Sequence, residues 1–184
     1  MKTLNDYLRR NLDIVSIGLN PSLYSVRAGF YFARPQNRFW QALNGSNLVN
    51  QKLVPSKAAV NILFRSHGIG FTDLVKRPTA GASHLKPADF RNWAPLLHHK
   101  LMHYQPCIAW FHGKMAYGNY LRYAEGRRIG VPWGRQTGRI GRSLVFVTPN
   151  PSPANAIFSL AELIQWYARL KTLRDELCPH ANSK

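Results

Sequence analysis

Two side chains of this sequence, Asn20 and Asp73, have the chemistry to activate a water molecule, and each stands at the end of a β-like run. The Asn20 carboxamide can orient water or read the edge of a nucleic-acid base. The Asp73 carboxylate, one of only 8 acidic groups in the chain, can act as a general base. Both residues also fit structural roles, because Asn-Pro is an ordinary turn signal and Thr-Asp before Leu-Val is typical of a local cap.

The loop that begins at Asn20 has a counterpart near the end of the chain. Both loops contain Asn-Pro-Ser, at residues 20–22 and 150–152. The first loop is followed by three aromatic residues, Phe30 to Phe32, whose rings could stack on a planar group. Such rings are more often part of a core, so spacing alone favours the structural interpretation.

The net charge points to a polyanionic partner. The 184 residues carry 25 Lys and Arg against 8 Asp and Glu, a formal charge of +17. Nucleic acid is the first candidate, an anionic membrane surface is the second, and a basic surface kept for solubility is the third. The basic residues are spread along the chain among aromatic ones, which suits a folded surface that grips phosphates; they include Arg34, Arg38, Arg127, Arg128, Arg135, Arg139 and Arg142.

The cysteines and histidines show no metal motif. Cys107 and Cys178 are too distant in sequence to predict a zinc site or a disulfide framework, and the apolar run around Cys107 predicts a core position. Five histidines lack ligand spacing with carboxylates or cysteines, which favours solvated or packing roles; they are His84, His98, His99, His103 and His112.

The ends of the chain and its hydropathy predict a location. Residues 1–10 lack the apolar stretch of a signal peptide, and no apolar run is long enough to cross a bilayer. We expect a reducing intracellular location, which is the cytoplasm in a bacterium and the nucleus in a eukaryote.

The elements that must position these residues alternate between strands and helices. Near-continuous apolar runs predict strands buried on both faces, at residues 13–18, 69–72, 107–111 and 143–147. Helical spacing predicts helices at residues 37–43, 56–65, 87–101, 114–123 and about 154–177. We expect Pro95 to break or kink the third helix. The sequence therefore predicts one α/β domain over residues 1–184 with a mainly parallel sheet, whose ligand lies beyond the carboxyl ends of the strands.

The two Asn-Pro-Ser loops resemble the motifs of the mismatch-specific uracil-DNA glycosylase and thymine-DNA glycosylase family, in the uracil-DNA glycosylase superfamily. The family's first motif is approximately GINPG followed by GxxFAxPxNRFW, and this chain has GLNP at 18–21 and GFYFARPQNRFW at 29–40. Residues 147–152 resemble the second motif and residues 71–79 a middle segment. The resemblance, which runs from about residue 13 to the last helix, implies a three-layer α/β/α sandwich, base flipping, and neither metal nor nucleotide cofactor.

The resemblance also implies roles for individual residues. Asn20 would position water against the sugar C1′ carbon and contact the flipped base, while backbone N–H groups of its loop would stabilise the departing base. Phe32 would stack on that base, and the other residues matched to base contact are Gly18, Leu19, Ser22 and Ser25. The second motif would contact phosphates and pinch the strand, through Asn150, Pro151 and Ser152. Lys114, which follows Gly113 at the predicted start of a helix, could bind phosphate there, with a plain turn as the equal alternative.

The sequence departs from the family pattern at three places. Ser22 replaces the usual glycine after Asn-Pro, so its side chain could narrow the pocket. Asp73 stands where the best-known bacterial members have lysine, and near C1′ it could act as general base and stabilise positive charge on the sugar. After Ser152 no bulky wedge is present at the expected place, and the insertion role could fall to Asn155.

The predicted function is a monofunctional DNA N-glycosylase that flips uracil out of DNA and hydrolyses its glycosidic bond. Thymine and other damaged bases, including those mismatched with guanine, remain open as substrates. Double-stranded DNA is the expected partner, single-stranded DNA is a further one, and the protein is expected to be a monomer that does not bind membranes. Two alternatives are a DNA-binding module of the same fold with little catalysis and a nucleoside hydrolase, although a free nucleoside needs no broad basic surface.

Overall fold

A computed structural model describes residues 2–178, in which five strands form one sheet. Four strands, β1, β2, β3 and β5, are parallel in the order β2-β1-β3-β5, and β4 is antiparallel at the edge beside β5. The strand bounds are Ile14–Gly18, Ile69–Asp73, Ile108–His112, Gly134–Ile140 and Ser143–Thr148 for β1 to β5. The predicted α/β class with a mainly parallel sheet is confirmed. Strand β4 was not predicted, because its exposed positions are Arg and Thr and it contains two glycines rather than an apolar run.

Six α-helices connect and cover the strands. They are α1 to α6, at Leu23–Ala28, Phe39–Gly45, Lys57–Ser66, Pro87–Tyr104, Lys114–Ala124 and Leu160–Leu177, with a short 3-10 turn at Ala82–His84. The expected break at Pro95 is wrong, because α4 continues through it and the carbonyl left without its N–H donor belongs to the exposed Arg91. The last helix begins later than predicted, at a capping box formed by Ser159 and Glu162.

The four parallel strands bury both faces, as their near-continuous hydrophobicity predicts. Successive residues alternate between two cores: Trp110 and Phe146 pack in the core formed with α2, α3 and α6, and Phe111 and Val147 pack in the core formed with α4 and α5. The result is the expected three layers of helix, sheet and helix. The predicted single domain over residues 1–184 stays a prediction, since residues 1 and 179–184 lie outside the described part.

Cys107 and Cys178 are joined by a disulfide, so the expectation that they do not pair is wrong. Cys107 is also only partly buried, which corrects its predicted core position. The 71 residues between them hide their proximity, because α6 packs back across the sheet and ends beside the start of β3. Within residues 2–178 no helix is long and apolar enough to span a membrane, and the cytoplasmic or nuclear location stays a prediction.

Reduction of the Cys107–Cys178 bond should lower the free energy of unfolding by about 2–4 kcal/mol, because the bond restricts the unfolded chain. Urea unfolding of the wild type with and without reductant measures the difference. The Cys107→Ser variant is the control, and its unfolding curve should not respond to reductant. A wild-type midpoint that is the same in both conditions would contradict the assignment.

Candidate active site

The carboxyl ends of β1, β2, β3 and β5 meet at one edge of the sheet, where they surround a cleft of about 160 Å³. Nine of the predicted site residues line it: Gly18, Leu19, Asn20, Ser22, Ser25, Phe32, Asp73, Asn150 and Ser152. A wider cleft of about 540 Å³ lies at the opposite edge, around Asp13 and Gly68, and contains none of the predicted site residues. The residues with the predicted chemistry therefore converge on the smaller cleft.

The Asn20 side chain is held by the loop that follows β2. Its amide nitrogen lies within hydrogen-bond distance of the Thr79 hydroxyl (2.8 Å), the Arg77 carbonyl (3.1 Å) and the Pro21 carbonyl (3.2 Å). Because the Thr79 hydroxyl donates its own hydrogen to the Gly81 carbonyl at 2.8 Å, it must accept from Asn20, which fixes which end of the amide faces it. The amide oxygen is left as the atom that can accept a hydrogen bond from a ligand or water.

Asp73 is the last residue of β2 and is 4% exposed. It is not a cap: its Oδ2 has no hydrogen-bond partner among the described residues and lies 3.6 Å from the Lys76 Nζ. Burial raises the pKa of Asp73 to about 6, against the opposing effect of the Lys76 ammonium. The carboxylate is therefore ionised at neutral pH, close enough to its pKa to exchange a proton.

Phe32 owes its position to an uncommon backbone conformation. Its φ of 56° is in the left-handed region, which is rare for an aromatic residue and is found where surrounding structure imposes it. One face of the ring stacks on Phe39, with ring centroids 4.0 Å apart and planes within 9°. Because Phe32 also lines the cleft, it offers the cleft an aromatic surface with a rigid backing.

Ser22 and Ser25 hold the loops together. The Ser22 hydroxyl is the N-cap of α1 and accepts from the Ser25 N–H at 3.1 Å. The Ser25 hydroxyl accepts from the Ala33 N–H at 3.3 Å, directly after Phe32. The departure from glycine at residue 22 therefore supplies a helix cap, and these two hydroxyls connect α1 to the segment that carries Phe32.

Arg38 fastens the second Asn-Pro-Ser loop to the first motif. Its guanidinium donates to the carbonyls of Phe158, Ser152 (3.2 Å) and Asn155 (2.7 Å), and its backbone N–H donates to the Pro151 carbonyl at 3.1 Å. The sequence analysis placed Arg38 among phosphate-gripping residues. The structure corrects this role, because the guanidinium is occupied by the loop inside the protein.

Three predicted DNA-binding residues do not line the cleft: Pro151, Asn155 and Lys114. The Asn155 amide donates to the Asn150 carbonyl at 2.9 Å, which ties its side chain to its own loop. Lys114 is exposed at the start of α5 and lies over the Trp133 ring, 4.6 Å from the centroid. Their contacts with DNA stay predictions.

His112 is a cleft residue that the sequence analysis missed as a site residue. It ends β3, is 1% exposed and lines the cleft. Its Nε2 lies 2.8 Å from the Ser16 hydroxyl, and its buried Nδ1 has no hydrogen-bond partner among residues 2–178. Burial lowers the pKa of His112 to about 3, so the ring is neutral at physiological pH. The one feature of the sequence that could have identified His112 as a site residue is its position at the end of a predicted strand. That position also fits a histidine packed in the core.

Residues 2–178 contain no group of three or more His, Cys, Asp or Glu side chains that could hold a metal ion. The cleft instead combines an amide oxygen, a carboxylate, a neutral imidazole and an aromatic ring. Such a set can bind a planar polar ring and polarise a water molecule.

Comparison with known proteins identifies a family and a shared fold. A family model of the uracil DNA glycosylase superfamily matches residues 5–171. A solution NMR structure of a candidate uracil DNA glycosylase from Methanosarcina acetivorans superimposes with a TM-score of 0.61 and 21% sequence identity, covering 94% of this chain and 97% of that chain. At this identity the structural match shows a shared fold.

The Arg38→Met variant should lose about 1.5–3 kcal/mol of unfolding free energy, because it leaves loop carbonyls without their charged donor. Amide hydrogen exchange should also become faster across residues 150–158. Urea unfolding and exchange measured by mass spectrometry test both effects. The control is Arg34→Met, at an exposed residue four positions earlier. Equal stability of the two variants would show that the hydrogen bonds of Arg38 to the loop carbonyls do not stabilise the protein.

Proposed function

We propose that this chain, which belongs to the uracil DNA glycosylase superfamily, excises uracil from DNA by hydrolysing the bond between base and sugar. The observation that carries the proposal is the convergence of Asn20, Asp73 and Phe32 on one small cleft. Its volume of about 160 Å³ is well below the ~300–1,000 Å³ of sites for drug-sized ligands. A space of this size suits a single planar base that has been turned out of the duplex.

The base binds between aromatic and polar groups. Phe32 stacks on one face of the ring, since Phe39 supports it from behind. His112 lines the cleft and its Nδ1 has no hydrogen-bond partner among residues 2–178, so we place an edge of the base beside it. A neutral imidazole whose Nε2 accepts from Ser16 carries its proton on Nδ1, and that N–H can donate to a carbonyl oxygen as negative charge develops on the departing base.

The chemical step uses Asn20 and Asp73 together. As the C1′–N bond lengthens, the sugar gains oxocarbenium character, which the Asp73 carboxylate stabilises. The Asn20 amide oxygen accepts a hydrogen bond from the attacking water and orients it, and Asp73 takes up the proton as the new C1′–O bond forms. The products are an abasic site and a free base, which takes a proton from solvent.

A monofunctional mechanism fits the cleft. A bifunctional glycosylase would need an amine nucleophile at C1′, but no lysine lines the cleft among residues 2–178. The assignment to the mismatch-specific branch is likewise a proposal, which rests on the resemblance of residues 18–21 and 29–40 to that branch's first motif. Thymine and other damaged bases remain substrates to be tested.

We assign the wedge that fills the gap left by the flipped base to Ile157. The predicted candidate, Asn155, is tied to Asn150, whereas Ile157 of the same loop is 86% exposed. An exposed apolar side chain on a loop that borders the cleft is the type that inserts between base steps. Because Arg38 holds the carbonyls on both sides of Ile157, at Asn155 and Phe158, the loop has the support that insertion requires.

Uracil release is the direct test of the proposed function. Oligonucleotides that contain uracil, single-stranded or paired with guanine, are incubated with the protein and treated with alkali to cut abasic sites. The wild type should release uracil from both, and Asp73→Asn and Asn20→Ala should each lose about 10²–10⁴-fold in rate. Glu176→Gln removes a carboxylate from the far end of α6 and should retain full activity.

The rate should also depend on pH through Asp73. Since the ionised form is the active base and burial raises its pKa to about 6, the rate should rise with pH, reach half its maximum near pH 6 and level off above pH 7. If the wild type releases no uracil from any substrate, the proposed enzymatic activity is refuted and a DNA-binding module is favoured. Full activity of Asp73→Asn would make the carboxylate structural.

The Ile157→Ala variant should lower kcat/KM about tenfold for uracil in a duplex, because unstacking a base pair costs energy that the wedge offsets. On a single strand the loss should be absent, since no stacked partner has to be displaced. Ile129→Ala, at another exposed isoleucine, is the matched control. Equal losses on single-stranded and duplex substrates would remove Ile157 from this role.

A further inference from the structure

We propose that Lys76, anchored by Asp6 in the N-terminal segment, is a positioning residue that keeps the Asp73 carboxylate ionised and directed at the reacting water. The inference rests on the proposed function, in which Asp73 is the base. It adds to the site two charged residues, Lys76 and Asp6, to which the sequence assigned no role.

Lys76 occupies the space between two carboxylates. Its side chain is 7% exposed, and its Nζ lies 2.7 Å from the Asp6 Oδ1 and 3.6 Å from the Asp73 Oδ2. The ammonium also lies 3.2 Å from the Tyr31 hydroxyl. Lys76 does not line the cleft, so it acts on the reaction through Asp73 rather than by contact with the substrate.

Asp6 fixes the ammonium from the other side. Its Oδ1 accepts from the Thr72 hydroxyl at 2.8 Å as well as from Lys76, and its Oδ2 accepts from the Lys100 Nζ at 2.7 Å. Although burial opposes its ionisation, the two lysines hold the pKa of Asp6 below its ordinary value. Asp6 is therefore a permanent anion bonded to β2, to the loop after β2 and to α4, and it cannot move without releasing Lys76.

The charges around Asp73 act in opposite directions. Burial is the largest effect and raises its pKa; Lys76 lowers it, Asp6 raises it, and the Tyr31 hydroxyl lowers it. His112 is neutral, and Lys100 reaches Asp73 only through Asp6. Removal of the Lys76 charge should therefore disfavour the Asp73 anion, whereas removal of the Asp6 charge should favour it. If Lys76 and Asp6 served only in packing, the two substitutions would not shift the pKa of Asp73 in opposite directions.

The test is the pH dependence of uracil release under single-turnover conditions, from pH 5 to 9. Lys76→Met should move the acid limb of the pH–rate profile upward by about 1–2 pH units, so that the fold-loss in rate is largest at pH 5 and becomes small at pH 9. Asp6→Asn removes the negative charge while its amide oxygen can still accept from Lys76, and it should move the limb downward. Lys171→Met, which removes a lysine from an ion pair with Asp175 on α6, should leave the limb unchanged.

One further variant and a folding check keep the outcome decisive. Lys76→Arg retains the positive charge, and the acid limb of its pH–rate profile should lie close to that of the wild type. Circular dichroism shows whether Lys76→Met folds. If it does not, Asp6→Asn is the deciding variant: a downward shift of the acid limb of its pH–rate profile supports the inference, and an unchanged acid limb overturns it. Unshifted limbs in both variants, with normal release by the wild type, overturn this inference alone. A wild type without release, or a fully active Asp73→Asn, overturns the proposed function and this inference with it.

Discussion

A carboxylate that is almost completely removed from water persists as an anion only where opposite charge compensates for its lost hydration and the surrounding chain leaves room for it. Asp73 meets both conditions. Lys76 supplies the charge, and Gly18, its partner in the pairing of β1 with β2, supplies the space, since a Cβ at residue 18 would lie 2.5 Å from the Asp73 Oδ1. The glycine before the Asn-Pro turn is therefore required by the close approach of the carboxylate.

The loops beyond the carboxyl ends of the strands are also fixed by contacts within the protein. The chain after Asp73 turns back through Arg77 and Thr79, whose acceptors hold the Asn20 amide nitrogen. Ser25 and the stacked ring of Phe39 set the position of Phe32, and Arg38 holds the loop that closes the other side. Polar groups that are fixed before a substrate arrives need not reorganise during the reaction, which is how such sites stabilise developing charge.

The sequence predicted the part of this arrangement that depends on local pattern. Short apolar runs located the four parallel strands, and residues just beyond their carboxyl ends, such as Asn20 and Asn150, converge as that topology requires. The rest depends on contacts between distant segments. Asp6 and Lys76 are 70 residues apart, and neither has a neighbour in sequence that reveals the pair.

Three misjudged residues show the same limit. Arg38 resembled a surface cation until the fold placed carbonyls around its guanidinium. Cys107 and Cys178 looked unrelated until α6 brought them together. In each case the side chain type allowed several roles, and only its position in the folded chain selected one.

The most direct measurement is a crystal structure of the protein with duplex DNA that contains 2′-fluoro-2′-deoxyuridine opposite guanine, in which fluorine slows loss of the base. We expect uracil to leave the duplex and stack on Phe32, with a water molecule held by the Asn20 amide oxygen and the Asp73 carboxylate beside C1′. Uracil that stays stacked in the duplex, or that binds with Asp73 far from C1′, would contradict the proposed mechanism.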